Sequence, residues 1–190
     1  MSKLNKDVLF SLFKELQDDS KSLFSCLMVN KIWCETMIPV LWENPWHYSI
    51  SYYYKSSLYY IIMFYLSDDI KNFLIRQGIQ LPSTSNQSLL FDYLSFCKSM
   101  NMNVINNIID VGSSDYGHFI LQEVYALFMR KCSELKYLNT LSIKHQIFYF
   151  PEAKSRLDSL CELKYDTFTD STYFYRLAHI CQNIQRIIII

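Results

Sequence analysis

The sequence predicts a mainly α-helical protein that continues into an irregular α/β repeat. Apolar residues recur at the 3.6-residue spacing of amphipathic helices through much of the chain. Only 3 glycines and 4 prolines occur among 190 residues, so few tight turns are encoded and long helices are permitted. Toward the C-terminus, a short pattern of Cys with Leu or Ile occurs three times. These observations predict an N-terminal three-helix unit, a helical middle region and the start of an irregular α/β solenoid.

The composition argues against several classes of protein. Apolar residues make up 51% of the chain and charged residues 19%, a balance typical of globular domains. The net charge is zero, so no overall positive field favours binding to nucleic acid or to an anionic membrane. The apolar run over residues 59–66 is much shorter than the roughly 20 residues of a membrane-spanning helix. Since no secretory signal pattern is present, we expect a cytoplasmic or nuclear protein with reduced thiols.

No catalytic or metal-binding motif stands out. The 6 cysteines are scattered without a C-x-x-C pair, and the 4 histidines do not lie at ligand spacing from them. No nucleophile elbow, P-loop or HExxH motif occurs either, so we expect no enzymatic activity, no metal and no cofactor. A cysteine-dependent enzyme using Cys34, next to Glu35, is an enzymatic alternative. An inert buried thiol is the favoured interpretation of Cys34.

Three helices are predicted in the first 46 residues. The apolar stripe of the first helix, over residues 4–16, consists of Val8, Leu9, Leu12, Phe13 and Leu16. Asn5 is a plausible N-cap for this helix, and Asn30 for the third. A polar break at residues 17–20 precedes the second helix. Pro39 is expected in or beside the turn after the third helix, because a proline within a helix removes a backbone hydrogen bond.

The order of these residues resembles the F-box family over residues 4–42. The family pattern has an opening Leu-Pro, an acidic residue before two apolar residues, an apolar-Phe pair, a Val ahead of basic and Trp positions, and a closing Leu-Trp. The matching residues here are Leu4, Asp7-Val8-Leu9, Leu12-Phe13, Val29, Lys31, Trp33 and Leu41-Trp42. Asn5 stands where the family usually has proline, which removes a rigid turn. An F-box followed by degenerate leucine-rich repeats is an architecture of many fungal F-box proteins, which the whole chain resembles.

The resemblance implies a non-catalytic substrate receptor of a Skp–cullin–F-box type ubiquitin ligase. Its partners would be the Skp-type adaptor of a cullin–RING ubiquitin ligase and an unidentified target protein. By resemblance, the candidate adaptor-binding residues are Leu4, Leu9, Leu12, Leu16, Leu23 and Leu27. The candidate F-box core residues are Phe13, Val29, Trp33, Leu41 and Trp42.

We expect the F-box to span residues 1–47, a tyrosine-rich linker residues 48–57, and a helical region residues 58–131. Within that region, apolar stripes predict helices over residues 59–66, 70–77, 89–97 and 119–131. Residues 104–109 form either a short strand or a helix. Gly78 is a plausible end for the second of these helices.

Residues 132–190 resemble the start of a leucine-rich-repeat solenoid. The three copies begin near Cys132, Leu160 and Cys181, and the tetrapeptide ELKY occurs at both 134–137 and 162–165. Their spacing falls in the range of about 20–29 residues found for such repeats. An ordinary α/β domain is the alternative. Alternation along an exposed strand gives the candidate target-binding residues Lys136, Asn139, Ser142 and Lys144.

A second functional hypothesis is a structural protein-interaction module, or a decayed paralogue without ligase function. The sequence given stops at residues 187–190, four isoleucines without a polar cap, whereas repeat arrays need capped ends. We therefore expect the repeat region to be truncated, and its last strand to be covered by a partner or prone to aggregation.

Overall fold

The computed structural model describes residues 5–48, 52–81, 88–112, 116–143, 145–167 and 171–190. Helices dominate these ranges, which confirms the mainly α prediction, and four short strands accompany them. The helices and strands are, in chain order, α1 (Lys6–Glu15), α2 (Ser20–Leu27), α3 (Lys31–Glu43), α4 (Tyr52–Phe64), α5 (Asp68–Arg76), β1 (Ser99–Asn101), α6 (Met102–Gly112), α7 (Gly117–Lys131), β2 (Tyr137–Asn139), α8 (Ala153–Leu157), β3 (Glu162–Tyr165), α9 (Ser171–Ile180) and β4 (Arg186–Ile189). Two 3-10 helices cover Tyr93–Phe96 and Ile147–Tyr149.

The N-terminal part forms three helices, as predicted, and side-chain caps begin each of them. The Asn5 side chain accepts a hydrogen bond from the backbone N–H of Asp7 at the start of α1. Asp19 caps α2 in the same way, and Asn30 caps α3. Each cap satisfies a backbone donor that the first turn of a helix leaves without a partner. Local sequence therefore sets where these helices begin.

The three helices enclose a small core of their own. Its buried members are Leu9, Phe13, Leu23, Met37, Val40 and Leu41. Trp33 and Trp42 are half-buried against this core, and the ring of Trp33 meets the edge of Phe13 at 5.5 Å between centroids. Val29, which we expected in the core, is 55% exposed. It lies in the turn between α2 and α3, where its backbone N–H bonds to the Cys26 carbonyl and its side chain stays on the surface.

Pro39 lies inside α3 and not in the turn after it. A proline at this position removes one backbone hydrogen bond of the helix. The residues on both sides of it, Ile38 and Val40, are buried. Burial of these two flanking side chains offsets the lost hydrogen bond, so α3 continues past the proline.

The middle region differs from the prediction at several points. Helix α4 begins at Tyr52, so it overlaps the expected linker at 48–57. Of residues 89–97, predicted as a helix, only Tyr93–Phe96 are helical, as a 3-10 turn. Residues 104–109, predicted as either a short strand or a helix, are helical and lie within α6. Gly78 follows α5 with φ of 79°, the left-handed conformation that glycine adopts readily at helix ends.

The four strands form one parallel sheet in the order β1-β2-β3-β4. Helices connect consecutive strands, as parallel pairing requires. Strand β1 lies in the region predicted to be mostly helical, so the sheet begins earlier than residue 132. The row of paired residues Met100, Leu138 and Leu163 is buried against apolar residues of α4 to α9.

The strand register differs from the alignment of the ELKY copies. Leu138 of β2 pairs with Leu163 of β3, whereas the repeated tetrapeptide would have matched Leu135 with Leu163. Leu135 is buried before β2 begins. The identical tetrapeptides therefore occupy different positions relative to their strands.

Candidate functional site

Several large apolar side chains of the three-helix unit are exposed. We call them the N-terminal apolar set: Val8, Phe10, Leu12, Met28 and Val29. Val8 and Leu12 lie four residues apart on α1, so they are neighbours on one face of the helix. Met28 and Val29 lie in the turn between α2 and α3, and Met28 is 87% exposed.

The predicted adaptor-binding leucines fall into three groups. Leu12 is 40% exposed, and Leu16 and Leu27 are half-buried, so these three side chains reach the surface. Leu9 and Leu23 are 1% and 0% exposed, which corrects their assignment as contacts, because both side chains fill the core between the helices. Leu4 lies outside the described residues.

Sequence reasoning did not identify Phe10 and Met28 as surface candidates. Both fall outside the apolar stripes that predicted the helices. An apolar residue that lies off the core-facing stripe of a helix was the signal that could have identified them as surface residues.

Ion pairs connect the three-helix unit internally and to the sheet. The Glu43 carboxylate, at the end of α3, pairs with the ammonium of Lys14 in α1 and with that of Lys98 at 3.3 Å. Partial burial by itself raises the pKa of Glu43, but the two lysines outweigh it and hold that pKa below its ordinary value. Glu43 therefore stays ionised and links α1, α3 and the residue before β1.

The segment after α3 is held against β1 by a buried hydrogen bond. The indole N–H of Trp46 donates to the carbonyl of Ser99 at 2.9 Å, and the Trp46 ring lies 5.8 Å from that of Phe128. The backbone N–H of Lys98 donates to the Glu43 carbonyl at 2.9 Å. These contacts place the end of α3 at the edge of the sheet.

One face of the sheet is polar and forms a groove with this segment. Successive side chains of a strand point to opposite faces of the sheet. The residues next to Met100, Leu138 and Leu163 along their strands therefore lie on the face opposite the core. A cavity of about 150 Å³ over this face is lined by Asn44, Trp46, His47, Ser99, Asn101, Tyr137, Leu138, Asn139, Glu162 and Lys164. A second cavity, of about 500 Å³, shares Asn44, His47, Tyr137 and Glu162 with it and extends toward Lys14 and Arg186. We call the two together the polar groove.

The four predicted target-binding residues do not lie together on one strand face. Asn139 lines the polar groove. Lys136 precedes β2 and pairs with Glu134 at 3.5 Å. Ser142 is exposed in the loop after β2 with φ of 60°, and its carbonyl accepts a hydrogen bond from the Asn106 amide at 2.6 Å. Lys144 lies outside the described residues.

Sequence reasoning missed Asn101, Lys164 and His47 as residues of the groove. The strand alternation that selected Asn139 would have selected Asn101 and Lys164 only with the correct register and with β1 recognised as a strand. His47 comes from the segment after α3, and no local pattern places it near the sheet.

A third cavity, of about 740 Å³, lies along α9. It is lined by Phe148, Tyr149, Ser171, Thr172, Tyr175, Arg176, His179 and Ile180. The Arg176 guanidinium lies over the rings of Phe148 and Tyr149, at 5.3 and 4.9 Å from their centroids. The charged group of Arg176 is therefore engaged in cation–π contacts, and the two rings form an aromatic wall of the cavity.

The cysteines show two kinds of environment. Cys34 is half-buried in α3. Cys97 and Cys132 are buried, and the Cys97 thiol donates to the Ser99 carbonyl at 3.0 Å. A hydrogen bond with Cys97, together with burial, raises the pKa of the Cys132 thiol well above its ordinary value. Cys132 therefore stays protonated and packs as a small apolar side chain.

Within the described ranges, no group of three or more His, Cys, Asp or Glu side chains is arranged to hold a metal ion. Among the helices described, none is long and apolar enough to cross a membrane. No protein-family model, curated protein or solved structure gives a significant match to the chain.

Proposed function

We propose that this chain is a non-catalytic substrate receptor of a Skp–cullin–F-box type ubiquitin ligase, acting in the cytoplasm or nucleus. Its three-helix unit binds the Skp-type adaptor, and its sheet binds a target protein. The observation that carries the proposal is the N-terminal apolar set, which stays exposed although the core of the unit is already filled.

Burial of the N-terminal apolar set supplies the free energy for docking. Covering one large apolar side chain contributes about 1.5–3 kcal/mol, so two or three of them suffice to dominate an interface. Leu9 and Leu23 act indirectly in this proposal, since they hold α1 and α2 against α3. Leu12 is the residue on which the family resemblance and the observed exposure agree.

The parallel sheet supports the target-binding half of the proposal. Consecutive strands are neighbours, and each helix-containing connection returns the chain to start the next strand alongside. Such an order suits a leucine-rich-repeat-like solenoid, which we propose begins at β1. The polar face of the sheet then presents side chains from every strand to a partner.

Binding of the purified full chain to a Skp-type adaptor, measured by isothermal titration calorimetry, tests the proposal. We expect Leu12→Asp and Met28→Asp each to weaken binding by about tenfold or more, because a buried apolar contact is replaced by a charge. Ile75→Asp is the matched control, since Ile75 is a similarly exposed apolar residue on α5, and it should leave the affinity unchanged. Leu9→Asp is uninformative, because a charge in the core unfolds the unit.

Circular dichroism establishes that each variant is folded before its affinity is compared. The proposal is wrong if the wild-type chain does not bind the adaptor. It is equally wrong if folded Leu12→Asp and Met28→Asp both bind as the wild type does.

One observation favours a second function, that of a protein-interaction module outside a ligase. In β4, Ile187 and Ile189 are exposed, and in the described residues this strand pairs with β3 alone. An exposed apolar edge strand is a surface on which another chain can add a strand. Adaptor binding discriminates between the two functions, because this second function does not require it.

A further inference from the structure

We infer that the polar groove binds the carboxylate side chain of an Asp or Glu in a short segment of the target protein. The inference deepens the proposed function and rests on the sheet being the target-binding region. Three neighbouring residues carry it: Asn101 of β1 pairs with Asn139 of β2, which pairs with Lys164 of β3. All three line the smaller cavity of the groove.

The two asparagines present hydrogen-bond donors to the groove. The side-chain oxygen of Asn101 accepts from the backbone N–H of Val104 at 3.1 Å. That of Asn139 accepts from the backbone N–H of Leu141 at 3.0 Å. Because a backbone N–H can bond only to the amide oxygen, both side-chain orientations are fixed. Neither NH₂ group has a partner among the described residues, so each is a donor for a ligand that accepts hydrogen bonds.

Lys164 adds a positive charge that the described residues leave without a carboxylate partner. The carboxylates that line the groove already have partners: Glu162 pairs with Arg186 at 3.2 Å, Glu43 with Lys14 and Lys98, and Asp18 lies 3.2 Å from His47. Lys164 is half-buried, so an anion beside it is less screened than at an open surface. A single unpaired cation flanked by neutral donors complements a ligand with one negative charge.

The dimensions of the groove favour a carboxylate on a peptide. A volume of about 150 Å³ accommodates one side chain, and the adjoining cavity of about 500 Å³ offers room for flanking residues. A phosphate carries up to two charges. Its second charge would find no unpaired cation among the described residues of the groove, because Arg186 already pairs with Glu162 and Lys14 with Glu43.

Selection of short random peptides from a display library against the full chain tests the inference. We expect the enriched peptides to share one acidic residue, and we measure the dissociation constant of the consensus peptide by fluorescence anisotropy. Lys164→Gln should weaken its binding by about tenfold, the effect of losing one charge-assisted hydrogen bond. Replacing the acidic residue of the peptide by its amide should cost a similar factor. Combining the two changes should add little, since both remove the same contact.

Lys154→Gln is the matched control, because Lys154 is an exposed lysine on α8 away from the groove, and it should change the affinity by less than about twofold. The inference is overturned if no peptides are enriched or if they lack a shared acid. An unchanged affinity for folded Lys164→Gln overturns it as well. Tighter binding of a phosphoserine version of the consensus peptide overturns the carboxylate assignment in favour of a phosphate.

Adaptor binding by the same Lys164→Gln variant separates this inference from the proposed function. We expect it to equal that of the wild type, because Lys164 lies on the sheet and not on the three-helix unit. Lysine-dependent peptide binding without any adaptor binding would refute the ligase role alone. Adaptor binding without lysine-dependent peptide binding would refute this inference alone.

Discussion

At the scale of single residues, Asn106 joins two helices and a loop. It is 3% exposed in α6, and its side-chain oxygen accepts a hydrogen bond from the Tyr125 hydroxyl of α7 at 2.5 Å. Its amide donates to the carbonyl of Ser142 at 2.6 Å. The bond to Ser142 holds the loop after β2, in which Ser142 adopts a left-handed backbone conformation that is unusual for a residue other than glycine.

Removing this side chain should destabilise the protein markedly. We expect Asn106→Ala to lower the free energy of unfolding by about 2–4 kcal/mol, because the hydroxyl of Tyr125 and the carbonyl of Ser142 both lose a partner. Asn107→Ala, at the exposed neighbouring position, should change it by no more than about 0.5 kcal/mol. Urea denaturation followed by circular dichroism measures both. Equal effects of the two substitutions would show that the bonds of Asn106 contribute little.

Glu43 gives the stability a defined pH dependence. The pKa of its carboxyl is lowered in the folded state, so its stabilising contribution is present above the ordinary value of 4.5 and is lost as the pH falls through the lower, folded value. At neutral pH, Glu43→Gln should be less stable than the wild type by about 1 kcal/mol. Below pH 4.5 the difference should shrink toward zero. Thermal unfolding between neutral pH and about pH 3 measures it.

Glu15→Gln provides the comparison for Glu43→Gln. Glu15 is an exposed glutamate in α1 for which no ion pair occurs among the described residues. Its substitution should leave the pH profile of the wild type unchanged. A constant difference between the wild type and Glu43→Gln across the acid range would contradict the role of the Glu43 carboxylate.

At the scale of elements, α1 illustrates how packing selects from an apolar stripe. The stripe contains five residues, yet only Leu9 and Phe13 are fully buried. They point toward α3, while Val8 and Leu12 remain exposed beside them. Periodicity located the helix and its apolar side, but the position of α3 determined which residues of that side are left for a partner.

Strand β4 should promote self-association of the chain. Its isoleucines Ile187 and Ile189 are exposed, and an apolar edge strand readily pairs with another chain. We expect the wild type to show a rising apparent mass with concentration in light scattering, and Ile189→Lys to remain monomeric. A charged residue at the edge opposes strand pairing.

The control for Ile189→Lys is Tyr175→Lys, which places the same charge at an exposed aromatic residue on α9. It should associate as the wild type does. If both variants associate equally, the edge of β4 is not the surface responsible.

At the scale of the whole molecule, the three-helix unit and the sheet are linked by Trp42, Trp46 and Glu43. The rings of Trp42 and Tyr93 lie 4.7 Å apart. Trp46 is buried against the main core and bonds to β1. The polar groove exists only because this segment lies over the sheet, so the link that joins the units also builds the candidate site.

Loss of the Trp46 indole N–H should weaken the whole molecule. We expect Trp46→Phe to lower the free energy of unfolding by about 1–3 kcal/mol, because the buried Ser99 carbonyl loses its nitrogen donor. Trp33→Phe, at a half-buried tryptophan of the N-terminal core, should cost less. Chemical denaturation measures both, and a smaller loss for Trp46→Phe than for Trp33→Phe would contradict this account.

Local signals made the N-terminal helices predictable, whereas the sheet required the tertiary structure. Asn5 and Asn30 cap helices within a few residues of themselves, so the sequence contains the complete signal. Strands of three or four residues are too short to show an alternating period, and β1 was missed for that reason. The repeated ELKY suggested a register, but the buried row selected Leu138 opposite Leu163.

The sequence by itself determined the mainly helical character, the three capped N-terminal helices and the lack of an overall charge. These depend on composition, periodicity and interactions between residues close in the chain. Only the tertiary structure decided that Leu9 and Leu23 are core, that Val29 and Met28 are exposed, and that Asn101, Asn139 and Lys164 form one row. The physical reason is that burial and strand pairing depend on contacts between residues far apart in sequence, which local patterns do not encode.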